Sequence, residues 1–183
     1  MQRTRTLDEP ALVRAAQTDS QAFGALYDRY VQRVYRYCYY RTNHAPDAED
    51  LTAQVFLAAL EGLPRYRQDG YFAGWLFSIA RKKVADFHRR APHTRQVALD
   101  ESVLPPIHAD LAMDVEKSQR RENLLKRIQA LAEEEQELIH LRYVAELSFA
   151  EIARTLRKNE EAVKKTLYRL LARLKQELEA DHE

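Results

Sequence analysis

Apolar residues recur along most of this chain at three- and four-residue spacing with no competing run of strict alternation, the pattern of helices that each bury one face. Phe23, Leu26, Tyr27, Tyr30, Val34 and Tyr37 fall on one broad face of a helix that Ser20 can cap. A second helix is predicted from Pro46, because proline is tolerated in a first turn, and it runs through DAEDLTAQVFLAALEGL until Gly62 and Pro64 break it. After the loop PRYRQDG, a third helix turns Phe72, Trp75, Leu76, Ile79 and Ala80 inward and the basic residues of ARKKVADFHRR outward.

From Ala91 to about Lys117 the periodicity fades. Prolines 92, 105 and 106 interrupt any helix, and Asp100, Glu101, Asp110 and Asp114 make the stretch acidic, so it reads as a linker. Helical spacing resumes at Leu124, Ile128 and Leu131, continues at Leu138, Leu141 and Val144, and breaks at AELS. Ser148 and Glu151 then have the spacing of a capping box, in which side chains and free amides at a helix start satisfy each other. The helix FAEIARTL follows. RKN leaves room only for a tight turn, Asn159 can cap the next helix, and Val163, Leu167, Leu170 and Leu174 form its inward stripe. Two short helices joined in this way predict a helix-turn-helix, with Ile152, Ala153, Leu156 and Val163 at the close crossing. The expected fold is all-α: two small helical domains, 1–90 and 120–183, joined by a flexible acidic linker over 91–119.

Composition narrows the class. A chain of 183 residues, 45% hydrophobic and 31% charged, suits small folded domains rather than disorder. No apolar run approaches the roughly 18–20 residues that cross a bilayer, and the start MQRTRTLDEP lacks the apolar centre of a secretion signal, so a cytoplasmic location without membrane insertion is expected. Cys38, the single cysteine, lies in VYRYCYYR, where a buried, inert thiol is expected. The histidines at 44, 88, 93, 108, 140 and 182 show no paired metal-ligand spacing and no glycine-rich phosphate loop is present; neither metal nor cofactor is expected, nor an enzyme. Asp86 and His88 stand two apart on a helix and do not face each other as an acid–base pair would.

Net charge is only +1, yet the charges are segregated. Basic residues gather at Arg81, Lys82, Lys83, Arg89, Arg90 and Arg95, and again at Lys164, Lys165, Arg169, Arg173 and Lys175. Lys164, Lys165, Tyr168 and Arg169 project from the second helix of the helix-turn-helix, where cations neutralise phosphates and reach guanine edges in a major groove. A plain helical hairpin with a solvated basic side fits the same residues. The third helix sets Tyr71, Phe72, Trp75 and Phe77 beside a basic track from Arg81; unpaired bases stack on such rings for roughly 1–3 kcal/mol each while cations hold the backbone. Trp75 and Phe77 suit the core, leaving Tyr71, Phe72 and the loop before them as the exposed contributors. Asp47, Glu49 and Asp50, followed by Val55 and Phe56, suit a basic protein partner; stabilisation of the helix dipole explains the same acids.

The segments DAEDLTAQVFLAAL, FAGWLFSIARKKVADFHRR and LSFAEIARTL with AVKKTLYRLLARLKQEL, in that order, resemble sigma-70 family factors of the extracytoplasmic-function (ECF) kind. The resemblance implies a sigma-two domain, a sigma-four domain and the linker between them. It places Asp47, Asp50, Leu51, Gln54 and Phe56 in the segment that docks on the core of bacterial RNA polymerase. It places Arg65, Tyr66, Arg67 and Tyr71 in the loop that captures a flipped base of the minus-ten element, and Phe72, Trp75, Arg81 and Lys82 in the melting and recognition helix. Lys164, Lys165, Tyr168 and Arg169 fall on the face that reads the minus-thirty-five element. Promoter DNA, core polymerase and an anti-sigma protein are the partners so implied. Departures from the family pattern are Ala53 and Gln54, where a glutamine and a glutamate are usual, Arg157 in place of the turn glycine, and Glu161, Ala162 and Thr166 on the reading helix. A helix-turn-helix regulator that never joins polymerase is the alternative function.

Overall fold

The computed structural model describes residues 8–67, 70–90 and 115–180, and the regular structure among them is entirely helical, as the spacing predicts. The chain divides into two compact units, Met1–Leu99 and Asp100–Glu183. Most of the stretch read as a linker, with Arg95, lies outside the described residues.

In the amino-terminal unit the first helix, α1 (Glu9–Ala16), is one the periodicity did not predict. Asp8 caps it, accepting a hydrogen bond from the Ala11 amide at 3.1 Å, and Leu12, Val13 and Ala16 are buried. The cap of α2 (Ser20–Thr42) is Asp19 and not Ser20: the Asp19 carboxylate takes the Gln21 amide at 2.8 Å, which a carboxylate one residue earlier reaches and Ser20, already helical, does not. Asn43 ends α2 in the left-handed region at φ 50°, a conformation asparagine tolerates. Then α3 (Ala45–Gly62), with Pro46 in its first turn, leads through a short 3-10 turn at Leu63–Arg65 towards α4 (Phe72–Arg90).

Helix α2 is the centre of this unit and packs against α1, α3 and α4. Leu26, Tyr30, Val34 and Tyr37 are buried as their spacing predicts. Tyr27 is instead 41% exposed, its ring lying edge-on to Phe56 at 4.7 Å, because it sits at the margin of the stripe. Tyr30 meets Phe72 at 5.4 Å, Tyr37 meets Phe77 at 5.6 Å, and His88 Nε2 lies 2.9 Å from the Arg41 carbonyl, so α2 and α4 run parallel. Edge-to-face rings of this kind add about 0.5–1.5 kcal/mol each to the burial itself.

Cys38 is completely buried, and burial pushes its thiol up to about 12 against a hydrogen bond with Thr52 that pulls the other way. A thiol whose folded pKa lies above its unfolded value of 9.0 supports folding fully below pH 9 and loses that support as pH rises towards 12. Denaturant melts across that window should show wild-type stability falling faster than Cys38→Ala stability, by up to about 1.4 kcal/mol per pH unit.

The carboxy-terminal unit comprises α5 (Val115–Ala130), α6 (Glu133–Ile139), α7 (Phe149–Leu156) and α8 (Glu160–Ala180). Helix α5 begins inside the stretch read as linker. Gln136 closes its end by donating to the Gln129 and Leu131 carbonyls at 3.0 and 2.9 Å. The turn after α6 widens over His140–Val144, where the Ala145 amide reaches the His140 carbonyl at 2.8 Å. Leu138, Leu141, Leu147, Ile152, Val163, Leu167, Leu170 and Leu174 make the core. Leu124 is exposed and Ile128, Leu131 and Val144 only half-buried, although their spacing placed them inside. Salt bridges tie the helices at the surface, Arg127 to Glu177 at 3.1 Å and Arg173 to Glu135 at 2.8 Å. Exposed pairs of this type contribute at most about 1 kcal/mol.

Candidate protein and nucleic-acid interfaces

Helix α3 presents an acidic start and an apolar end on one outward face. Asp50 and Gln54 are exposed there, while Asp47 is half-buried with its carboxylate 3.0 Å from His44 Nδ1. Leu51 and Phe56, expected in the docking segment, face the interior at 3% and 6% exposure. Their part is to seat α3 on the core, since a side chain covered on all sides offers nothing to a partner. Leu57 and Leu60, which sequence reasoning passed over, stand 58% and 45% exposed in helical register with Gln54 and Ala53. An outward apolar pair on an amphipathic helix is a signal for a partner surface that periodicity alone assigns to the core.

The loop before α4 is fixed from an unexpected side. Gln17, just past the end of α1, donates through Nε2 to the Leu63 carbonyl at 3.1 Å and the Tyr66 carbonyl at 2.9 Å. Tyr66 in turn lies 4.8 Å from Trp75 and 5.9 Å from Phe72. Arg65 and Arg67 are exposed, whereas Tyr66, Tyr71 and Trp75 are half-buried. The ring expected outside, Phe72, is buried at 3%, and Phe77 is covered completely. Trp75, expected inside, is the tryptophan edge of this surface. It leans on Gly62, where a Cβ would come within 3.1 Å of its ring, so a larger residue fits only if the indole gives by a few tenths of an ångström. Along α4 Lys82 is exposed and Arg81 half-buried, continuing the surface with positive charge. Asp86 pairs with Arg89 at 2.8 Å and makes no acid–base pair with His88.

In the second unit the capping box is present as predicted: Glu151 accepts from the Ser148 amide at 2.8 Å and the Glu151 amide donates to Ser148 Oγ at 3.3 Å. Asn159 caps α8, its Oδ1 accepting from the Glu161 amide at 2.9 Å. Ile152, Ala153 and Val163 are buried at the crossing and Leu156 is half-buried. Between the helices Arg157 takes φ 54°, keeping the left-handed turn despite its side chain. That conformation costs a non-glycine residue about 1–2 kcal/mol. Arg157→Gly should therefore stabilise α7 and α8 by roughly 0.5–1 kcal/mol after the entropy of the freer unfolded glycine is subtracted, read as slower amide exchange in these helices.

Lys165, Tyr168 and Arg169 are exposed on α8, Tyr168 at 60% with its ring 5.9 Å from Phe149. Lys164 differs from its neighbours. Its ammonium lies 2.9 Å from Glu161 and 3.2 Å from Glu160, and those carboxylates, Glu161 first, hold its pKa above the ordinary lysine value. The departure at position 161 thus places a carboxylate on the cation beside it. Among the described residues no helix is long and apolar enough to cross a membrane, and no group of histidine, cysteine, aspartate or glutamate could hold a metal ion.

Comparison with known proteins supplies the context for these surfaces. Residues 26–94 match the family described as Sigma-70 region 2, and residues 121–174 match Sigma-70, region 4. The chain is 37% identical over 163 residues to the ECF RNA polymerase sigma factor BldN of Streptomyces coelicolor, covering 88% of this chain and 62% of BldN; it spans less than two thirds of that relative's length. It is 34% identical to the ECF RNA polymerase sigma factor ShbA of Streptomyces griseus, covering 88% of this chain and 90% of ShbA. In fold it is similar to CnrH, solved in complex with the cytosolic domain of CnrY, with a TM-score of 0.69 at 22% identity over 94% of this chain and 98% of CnrH. With both regions present in order and with relatives of this identity, the chain belongs to the sigma-70 family, in its ECF group of RNA polymerase sigma factors.

Proposed function

We infer that this chain binds bacterial core RNA polymerase and directs it to promoters, acting in the cytoplasm as a specificity factor and not as an enzyme. The observation that carries this reading is the pairing of two separate family regions, each with its own exposed polar and basic surface. Residues 1–90 would dock on polymerase and open the minus-ten element, 91–119 would link, and 120–183 would read the minus-thirty-five element. Asp50 and Gln54, with half-buried Asp47 and outward Leu57, give the first unit its polymerase face. Gln54 offers no charge where the family usually has a glutamate, so the apolar end of α3 carries more of that contact. Leu51 and Phe56 support the face from beneath.

Arg65, Tyr66, Arg67, Tyr71 and Trp75 form a ring-and-cation surface suited to an unpaired strand, with Arg81 and Lys82 on its backbone and Phe72 packed behind. Lys165, Tyr168 and Arg169 enter a major groove. Lys164 contributes there to the extent that DNA phosphates displace its carboxylate partners. An anti-sigma protein would silence the chain by covering these same faces. The test is transcription by purified core polymerase on genomic DNA with and without the chain. New starts preceded by a shared pair of motifs support the reading; no starts and no binding to core leave a helix-turn-helix regulator.

A further inference from the structure

On α8, Glu161, Lys164, Lys165 and Tyr168 are spaced i, i+3, i+4 and i+7 and so share one face. Glu161 stands in the first turn with its side chain 80% exposed, and the first turns of a recognition helix are the part that reaches base edges. A lone carboxylate at this place would repel DNA, but Glu161 is not alone. Lys164 Nζ lies 2.9 Å from Glu161 Oε1 and 3.2 Å from Glu160 Oε1, and the same ammonium sits 5.9 Å from the centroid of the Phe149 ring. Asn159 fixes the backbone beneath them, its Oδ1 accepting from the Glu161 and Ala162 amides at 2.9 and 3.3 Å. An acceptor and a donor are thus held side by side on the outer face of the helix. An ammonium has three protons, so with both carboxylates served one is left for a further acceptor.

On the major-groove edge of a cytosine–guanine pair the cytosine amino group donates, and guanine O6 and N7 accept beside it. The amino nitrogen and O6 are joined by the pair's own hydrogen bond, so they stand about 2.9–3.0 Å apart. Glu161 Oε1 and Lys164 Nζ, acceptor and donor in the complementary order, are spaced alike at 2.9 Å. We propose that Glu161 and Lys164 act together as a specificity-determining pair of the minus-thirty-five site, Glu161 accepting from a cytosine amino group and Lys164 donating to the guanine paired with it. Guanine or thymine in the place of that cytosine sets a carbonyl oxygen against the carboxylate. Adenine there offers an amino group too, but it also brings its N7 to the carboxylate and its partner's methyl group to the ammonium, so it ranks second. A phosphate reaches Lys164 only by displacing the carboxylates, whereas a neutral guanine needs only the proton that is left. The assignment rests on the sigma-factor reading above and adds to it a base pair and a task for Glu161, until now only a departure from the family pattern.

The test uses the polymerase holoenzyme formed with the full chain. First, each minus-thirty-five position of an active promoter is randomised in turn and transcripts are counted. The wild type should favour cytosine over guanine about tenfold at one position of one strand, and Glu161→Ala should lose that preference there and nowhere else. Its freed Lys164 then meets phosphate, so binding to non-promoter DNA should tighten and fall more steeply with salt. Second, with wild-type protein alone, the favoured cytosine is replaced by N4-methylcytosine, which still pairs with guanine but carries a methyl group where the amino proton faced the major groove. About a tenfold loss of transcription is expected from that replacement, whether or not Glu161→Ala folds. The assignment of Glu161 and Lys164 would be overturned, with the sigma reading intact, by the absence of such a position or by equal use of cytosine and N4-methylcytosine. A Glu161→Ala protein that binds all DNA more tightly with its base profile unchanged would also overturn it, leaving Glu161 as a repelling charge. A holoenzyme that starts transcripts at no promoter would overturn the sigma reading itself, and this proposal with it.

Discussion

Alanine at both Lys165 and Arg169 is expected to reduce transcription from a promoter with a minus-thirty-five element by one to two orders of magnitude, with the fold unchanged. Both side chains are exposed on α8, on the side away from its buried stripe of Val163, Leu167, Leu170 and Leu174, so their removal opens no cavity. A cation that pairs with a guanine edge contributes about 1–3 kcal/mol of discrimination, and 1.4 kcal/mol is a factor of ten. Lys164 cannot make up the loss in full, because Glu160 and Glu161 already share its ammonium. Template competition at increasing salt separates two contributions. If Lys165 meets only phosphate, its single substitution lowers the salt dependence and leaves sequence preference alone, whereas an Arg169 that reads a base relaxes preference at one position. Unaltered transcription by the double variant would remove α8 from the recognition of DNA.

Phe77→Ala is expected to cost the first unit about 3–5 kcal/mol, enough to unfold much of a small domain at physiological temperature. The ring is fully buried, edge-on to Tyr37 at 5.6 Å, with the Arg33 guanidinium 5.8 Å from its centroid. It joins α4 to α2, and α2 is the helix to which every other helix of the unit packs. Truncation therefore leaves a cavity at the centre, where the surrounding helices have least freedom to close it. Trp75 reports the result, since its emission depends on the packing of Tyr66, Phe72 and Gly62 around it. A red shift and an early denaturant transition are the expected readings. Trp75→Phe, at the half-exposed edge of the same helix, should cost much less stability and act mainly on promoter opening.

The comparison of these two rings shows where reading a sequence stops. Phe72 and Trp75 stand three apart, so helical periodicity places both on the inner face. Tyr30 and Tyr66 close over Phe72, while Gly62 lets the indole slide to the margin. Leu57 and Leu60 show the converse. No sequence pattern set them apart, but α3 carries apolar residues around more of its circumference than its neighbours cover, and these two remain outside.

The all-α class, the helix order, the capping box at Ser148, the Asn159 cap and the inward stripe of α8 were legible because each depends on contacts within a few residues or on a period the helix itself imposes. Arg157 shows the intermediate case: it stands in place of the turn glycine in the sequence, and the packing of α7 on α8 holds it in the left-handed geometry. Helix α1 carries a start signal in Asp8 and Pro10, but its eight residues hold too few apolar positions to establish a period. Its value comes from elsewhere in the chain, through Gln17 on the Leu63 and Tyr66 carbonyls and the Tyr30 hydroxyl on Glu9. Hydrogen bonds between residues 46 and 49 positions apart exist only once the end of α1 has packed beside the turn that follows α3. Local physics therefore determined which helices form, and tertiary packing alone decided which of their faces a partner can reach.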